Sequence, residues 1–391
     1  MDAIREPMPL VGRRGPTPKP GHSNPGFPAQ PAPHQLLSLQ VLRAVAALFV
    51  TIAHASEEAK HFFGFEPIIE TDPFGKGVDL FFVISGFIIY HASEKLFSRA
   101  NAARIFITNR IIRIVPLYFI FTTLMVLAVV LIPSGVKEAT FDVAQIVTSY
   151  FFIPYERHDG RIAPILSLGW TLNYEMFFYV IFSLCLLLKP KHIAAASISC
   201  IIVLALIGTL VPETAPSAIR AWTHNIILEF AAGIAIAYVY GKNSGERVGS
   251  SILATLLLLL GFILLYFLNL PIKPFDLPRF ISAGLPATMI VASSVLLLPT
   301  RMERILPRWM VALGDSSYSL YLSHRFIQRP LQILISHSPI GRLEAAGSIY
   351  LILAVTAACI GGHIIYLLVE RPLLRRMKSS TFAHKLAGTP S

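Results

Sequence analysis

Arg43 and His54 stand eleven residues apart in one hydrophobic segment, and Asp79 opens the next one. An imidazole titrates near neutral pH, so it suits taking a proton from a hydroxyl and returning it to a leaving group. An ionisable group inside an apolar span is costly, which makes each of the three a functional candidate. At 100° per residue, eleven residues fall within about 20° of three whole turns, so Arg43 and His54 share a helix face. They lie about 16 Å apart along the axis, roughly half a hydrocarbon core. A further carboxylate, Glu175, follows in a later apolar segment that begins Ser167-Leu-Gly-Trp170. A carboxylate hydrogen-bonded to the second ring nitrogen of His54 would fix its tautomer, and Asp79 and Glu175 are the candidates. Each residue also has a plainer reading. His54 is otherwise an interfacial histidine among headgroups. Asp79 is otherwise a helix-start residue favoured by the dipole, and Glu175 a structural partner for a span arginine.

The elements that must hold these groups are membrane helices. Of 391 residues, 54% are hydrophobic and 14% charged, which is the composition of an all-α polytopic membrane protein. Hydropathy places about ten spans, at 36–56, 75–93, 113–132, 166–188, 193–211, 222–241, 249–270, 280–299, 311–335 and 345–369. The apolar stretch 141–153 is short and is expected to be interfacial or re-entrant. With the N-terminus inside, 21 Lys and Arg fall in inner segments, nine in outer segments and three within spans. Both termini are therefore expected in the cytoplasm of a multi-pass inner-membrane protein. In this orientation His54, Asp79 and Glu175 all come to the outer half of the bilayer. The net charge of +11 is explained by this asymmetry, and a nucleic-acid partner is not expected.

Three regions follow from composition. Residues 1–34 are Pro-rich and are expected to be a disordered cytoplasmic tail. Residues 35–376 form the transmembrane domain, which ends on the basic Glu370–Arg376, and 377–391 a C-terminal tail. Cys185, Cys200 and Cys359 lie in apolar runs and read as packing residues, and no Cys/His cluster suggests a metal.

Two further stretches carry polar chemistry. Arg110 and Arg113 are three apart, hence on one helix face at the inner boundary. Two guanidinium groups so placed suit phosphate, or else simply anchor the helix inside. The run Leu313-Gly-Asp-Ser-Ser-Tyr318-Ser-Leu-Tyr-Leu-Ser-His324-Arg325 is polar for a span. It walls a wet cavity or holds helices together by hydrogen bonds. His91 and His363 read as structural.

Six blocks in order make the chain resemble the acyltransferase 3 family of membrane proteins. They are Arg43 and His54 with ten residues between; Gly77-Val-Asp-Leu-Phe-Phe-Val-Ile-Ser85-Gly-Phe; and Arg110-Ile-Ile-Arg113-Ile-Val-Pro. The others are Trp170-Thr-Leu-Asn-Tyr-Glu175-Met-Phe-Phe-Tyr179, Ser317-Tyr318-Ser-Leu-Tyr-Leu-Ser-His324, and Glu370-Arg-Pro. The resemblance spans roughly 36–376, and the opening Ser-Leu-Gln-Val-Leu-Arg-Ala-Val-Ala-Ala is most similar to an exopolysaccharide-production branch. It implies transfer of an acyl group, often acetyl, from cytoplasmic acyl-CoA to a hydroxyl of a lipid-linked or extracellular polysaccharide. It also implies that His54 is the essential histidine with Arg43 as companion, that Arg110 and Arg113 meet the donor's phosphates, and that Glu175 belongs to the site. Ser85, Trp170, Tyr179, Tyr318, His324 and Arg325 are expected along the substrates' path. No permanently bound cofactor is expected; acyl-CoA, in the acetyl case acetyl-CoA, enters as a substrate. The rival reading is a proton-coupled transporter or flippase for a polysaccharide precursor, since intramembrane Arg, His, Asp and Glu suit that work too.

Overall fold

A computed structural model describes residues 36–132, 141–243, 250–272, 277–303 and 305–379. The tail expected at 1–34 and most of the one at 377–391 lie outside the described residues. Every regular element among those described is helical. In order they are α1 (Leu37–Phe63), α2 (Gly77–Ser93), α3 (Ala102–Leu131), α4 (Val143–Tyr150), α5 (Trp170–Cys185), α6 (Pro190–Gly208), α7 (Ser217–Trp222) and α8 (Leu228–Lys242). There follow α9 (Ser251–Phe267), α10 (Leu285–Ala292), α11 (Thr300–Glu303), α12 (Arg308–Asp315), α13 (Ser317–Ser336), α14 (Ala346–Ile365) and α15 (Arg371–Ser379).

Seven helical segments are long and apolar enough to cross a bilayer: Leu37–Phe63, Asp72–Leu96, Ala102–Leu131, Pro190–Gly208, Ser217–Lys242, Phe280–Leu297 and Ala346–Lys378. The remaining three expected spans are helical as well. However, α5 and α9 are shorter, at 16 and 17 residues, and α13 is too polar to pass as a lipid-facing helix. The stretch expected not to cross holds only the eight residues of α4, about 12 Å of helix.

Two boundaries differ from the hydropathy reading in ways that matter for the site. The first span continues past residue 56 to Phe63, where Gly64 takes a left-handed conformation (φ 60°) and closes the helix. Glu57 and Glu58 therefore belong to α1. The third span begins at Ala102, so Arg110 and Arg113 stand well within the helix rather than at its expected start.

Helix α1 is the hub and packs against α2, α12, α13 and α14. Its polar face turns inward because those neighbours carry the polar groups. Helix α2 lies against α8 at backbone distance. A Cβ on Gly86 would strike the Phe230 carbonyl, and one on Gly233 would strike that of Val83. Small residues at a crossing let two apolar helices approach where lipid offers no hydrophobic drive for association. Three π-helical turns, at Phe280–Gly284, Ser293–Leu297 and Tyr366–Glu370, interrupt the last third of the bundle. The first directly follows Arg279 and the third ends on Glu370. Both residues reach into the polar interior, a common placement for such turns.

Candidate functional site

Named by the sidedness expected from the Lys and Arg distribution, the polar side chains fall into an inner group, a central histidine pair and two outer groups. In the inner group, Arg43 of α1 and Arg110 and Arg113 of α3 line a narrow cavity of about 170 Å³. The Arg113 Nη1 is 2.7 Å from Glu370, which also accepts the Ser319 hydroxyl at 2.5 Å. Arg110 lies over the rings of Phe106 and Tyr179 at 5.5 and 5.9 Å, and its Nε is buried with no hydrogen-bond partner. Tyr318 lines the same cavity and donates to the Ile114 carbonyl at 2.8 Å, beside the helix turn that Pro116 interrupts.

Further along this cavity stands Glu175. Its Oε1 accepts hydroxyl hydrogens from Ser85 at 2.9 Å and Tyr179 at 2.5 Å. The lining runs from Ile89 to Val78 on α2, eleven residues or about 16 Å of helix. It ends at Thr171 and Tyr321, whose hydroxyls are 3.0 Å apart; Tyr321 also donates to the Leu168 carbonyl at 2.9 Å.

His54 and His324 form the centre. The His54 Nδ1 is 2.9 Å from the His324 Nε2, with the rings stacked at 5.1 Å. The His324 Nδ1 is 3.1 Å from the Leu320 carbonyl, and a carbonyl oxygen only accepts. In the neutral pair this sets both tautomers from the hydrogen-bond network. His324 donates from Nδ1 and accepts at Nε2. His54 then donates from Nδ1, and its Nε2 lone pair is left free. An imidazole held this way is a base with one available nitrogen. Replacing His324 with Ala removes the acceptor for His54 and is expected to slow turnover about tenfold or more. His324→Gln, whose amide oxygen accepts, should restore part of it. Equal rates in the two variants would argue against this positioning role.

The expected carboxylate partner of His54 is therefore corrected. Asp79 is fully buried and takes a bidentate contact from Arg279, at 2.9 Å from Nε and 2.8 Å from Nη2. Buried Glu229 stands beside this pair, and the Arg279 guanidinium lies 5.5 Å over the Trp170 ring. Asp79, Glu229 and Trp170 all lie in the first turn of their helices, so three helix starts meet here around Arg279. Glu175 serves the inner cavity. Neither carboxylate contacts His54, because α13 rather than α2 or α5 faces it at that level.

The second outer group is a cavity of about 790 Å³ beyond the histidine pair, with Arg157, Arg325, Arg329 and Glu58 in its wall. Arg325 is 3.7 Å from Glu58, which also accepts the Tyr350 hydroxyl. The hairpin that brings Arg157 is pinned by Asp142. Tyr155 and the first amides of α4 bond to that carboxylate and hold it below its usual pKa.

Glu58, Arg157, Glu229 and Arg279 were not singled out by sequence reading, and Glu370 only as the start of the Glu-Arg-Pro block, without a role. Glu229 had a usable signal, an acid inside an expected span. Arg279 and Arg157 fell in segments counted only as loops.

A family model described as an acyltransferase domain matches residues 36–367. The chain is 32% identical over 340 residues to the exopolysaccharide production protein ExoZ of Rhizobium meliloti (strain 1021), covering 86% of this chain and 98% of that protein. It is 36% identical over 98 residues to Protein 2 in picA locus of Rhizobium radiobacter, covering 25% of this chain and 47% of that protein. No solved structure matches.

Proposed function

This chain belongs to the acyltransferase 3 family, and from that membership we propose that it is an inner-membrane O-acyltransferase of exopolysaccharide production. In this reading it moves an acyl group, most simply acetyl, from cytoplasmic acyl-CoA to a sugar hydroxyl. About ten helices cross the membrane and both termini face the cytoplasm. The free Nε2 of His54, fixed by the His324 relay to the Leu320 carbonyl, is the observation that carries the proposal.

The donor's phosphates stay at Arg110 and Arg113, where guanidinium groups pair with phosphate oxygens. The extended arm of the donor runs up the narrow cavity past Arg43 and Glu175, which is suited to a chain rather than to a ring system. The thioester carbonyl then comes to the Tyr321 end, where the Tyr321 and His324 rings are 6.2 Å apart. His54 Nε2 takes the proton of the acceptor hydroxyl as its oxygen attacks the carbonyl carbon. The C–S bond breaks, the imidazolium returns the proton to the sulfur, and ester and free thiol leave. Ser85 and Tyr179 hold Glu175 as hydrogen-bond donors, so this carboxylate is a structured wall for the arm.

The test pairs cells with purified protein. Surface polysaccharide from wild type and a deletion strain is compared by proton NMR, and acetyl-CoA consumption is followed in detergent. Loss of acetyl signals in the deletion, with thiol release by the protein, is the expected outcome. Unchanged acetylation with reduced polysaccharide export would replace this reading with the transporter.

A further inference from the structure

Glu370 ends the π-helical turn Tyr366–Glu370 and opens the Glu-Arg-Pro block, and the donor path makes no use of it. Its side chain is 1% exposed. A buried carboxylate persists only where cations and hydrogen-bond donors replace the water it has lost. Here both come from other helices. The Arg113 Nη1 of α3 stands 2.7 Å from Oε1, and the Ser319 hydroxyl of α13 donates to Oε2 at 2.5 Å. One carboxylate thus ties three helices together beside the narrow cavity. The π turn serves this contact. It adds one residue to the helix that runs from α14 into α15, and one residue is about 100° of rotation. On an uninterrupted α-helix Glu370 would point elsewhere.

The tie has a direction. Arg113 lines the cavity and its side chain is 30% exposed, whereas Glu370 stands behind it, outside the lining. The Tyr318 ring lies 6.0 Å from the same guanidinium, and its hydroxyl bonds to the Ile114 carbonyl next along α3. Arg113 is therefore gripped at Nη1 and across its face. A guanidinium carries its five N–H groups in one rigid plane, so gripping one end aims the rest. An arginine ordered in advance spares a ligand the entropy of ordering it. The ion pair does not exhaust the positive charge here. Arg43 and Arg110 line the same cavity. Lys378, about two turns beyond Glu370 on the same helix, is within electrostatic reach of Arg110, Arg113 and Lys95.

Resting on the acyltransferase reading, we infer that Glu370 is a positioning residue of the donor site, seated by Ser319. It holds the Arg113 guanidinium in place, and the other N–H groups of Arg113 meet a phosphate of the acyl-CoA. Glu370 thereby favours a nucleotide-bearing thioester over a bare pantetheine thioester without touching either.

The test measures equilibrium binding of CoA to the purified full-length protein in detergent. Glu370→Gln keeps the shape and removes the charge; it should weaken CoA about tenfold, and Glu370→Asp less. Ser319→Ala loosens the carboxylate and should act in the same direction, by about threefold. It carries the test if Glu370→Gln does not elute like wild type. In an Arg113→Gln background, Glu370→Gln should add nothing. Two donors separate positioning from bulk structure. Glu370→Gln should lower kcat/KM for acetyl-CoA about tenfold, through KM, and change that for S-acetyl-pantetheine, which has no phosphate, by less than about twofold. Equal losses with both donors would overturn the positioning role. So would unchanged CoA binding in Glu370→Gln or, where that variant does not fold, in Ser319→Ala. Tighter CoA binding in Glu370→Gln would make Glu370 a competitor of the phosphate and overturn it as well. Wild-type turnover keeps the two readings apart. CoA binding that weakens in Glu370→Gln, with no acetyl transfer by wild type, sinks only the enzyme reading. Transfer by wild type, with CoA binding indifferent to Glu370, sinks only the positioning role.

Discussion

His54→Ala is expected to lower acyl transfer by about 10²- to 10⁴-fold, the usual contribution of a positioned general base. The physical reason is that the imidazole and the hydroxyls next considered are already engaged. His324 spends Nδ1 on the Leu320 carbonyl and Nε2 on His54. Tyr321 and Thr171 are hydroxyls bonded to each other and to the Leu168 carbonyl. The protein should still fold, because His54 is not fully buried and its ring hydrogen-bonds to His324. The measurement is the acetyl content of surface polysaccharide from a deletion strain complemented with the variant at wild-type level. Release of free thiol from acetyl-CoA by the purified variant is followed beside it. If the variant keeps more than a tenth of wild-type transfer, the base lies elsewhere and the histidine relay is a packing feature.

The second large effect is on stability. Asp79→Ala should destabilise the fold by about 3 kcal/mol, because it strips the partner from the Arg279 guanidinium. That is the low end of the range for a broken buried pair, since Asp79 is 0% exposed but the Arg279 side chain is 25% exposed and keeps some water. Arg279→Gln should cost a similar amount, leaving Asp79 and neighbouring Glu229 as two buried carboxyls without the guanidinium between them. The double variant should cost less than the sum of the singles, the sign of a direct interaction. Thermal unfolding in detergent, followed by size-exclusion fluorescence, reads all three. A different pattern, in which Asp79→Ala melts like wild type but transfers nothing, would put Asp79 in the chemistry and remove its structural role.

These two expectations divide residues that sequence alone had grouped. By depth in the bilayer, His54, Asp79 and Glu175 belong together. By contact they belong to three places, because helices at one depth still face different neighbours. Asp79 turns toward Arg279 and Trp170, Glu175 turns toward Ser85 and Tyr179, and only His324 turns toward His54. The arginines of the outer cavity show the same limit. Arg157 and Arg329 are 172 positions apart in the chain, and nothing local in either stretch signals the other.

What the sequence determined by itself is whatever depends on composition and period. Apolar runs of helical length had to become a helical bundle. The placing of Arg43 and His54 on one face followed from 3.6 residues per turn, and both indeed point into the polar interior of α1's surroundings. The family followed from six ordered blocks. Tertiary structure decided which ionisable groups meet, where α1 and α3 end and begin, and that two cavities lie on either side of one histidine pair. The reason is that hydropathy fixes a residue's depth in the membrane, whereas its partner is fixed by the rotation and crossing of helices. Those are set by close contacts such as Gly86 on Phe230 and Gly233 on Val83, between segments far apart in the chain.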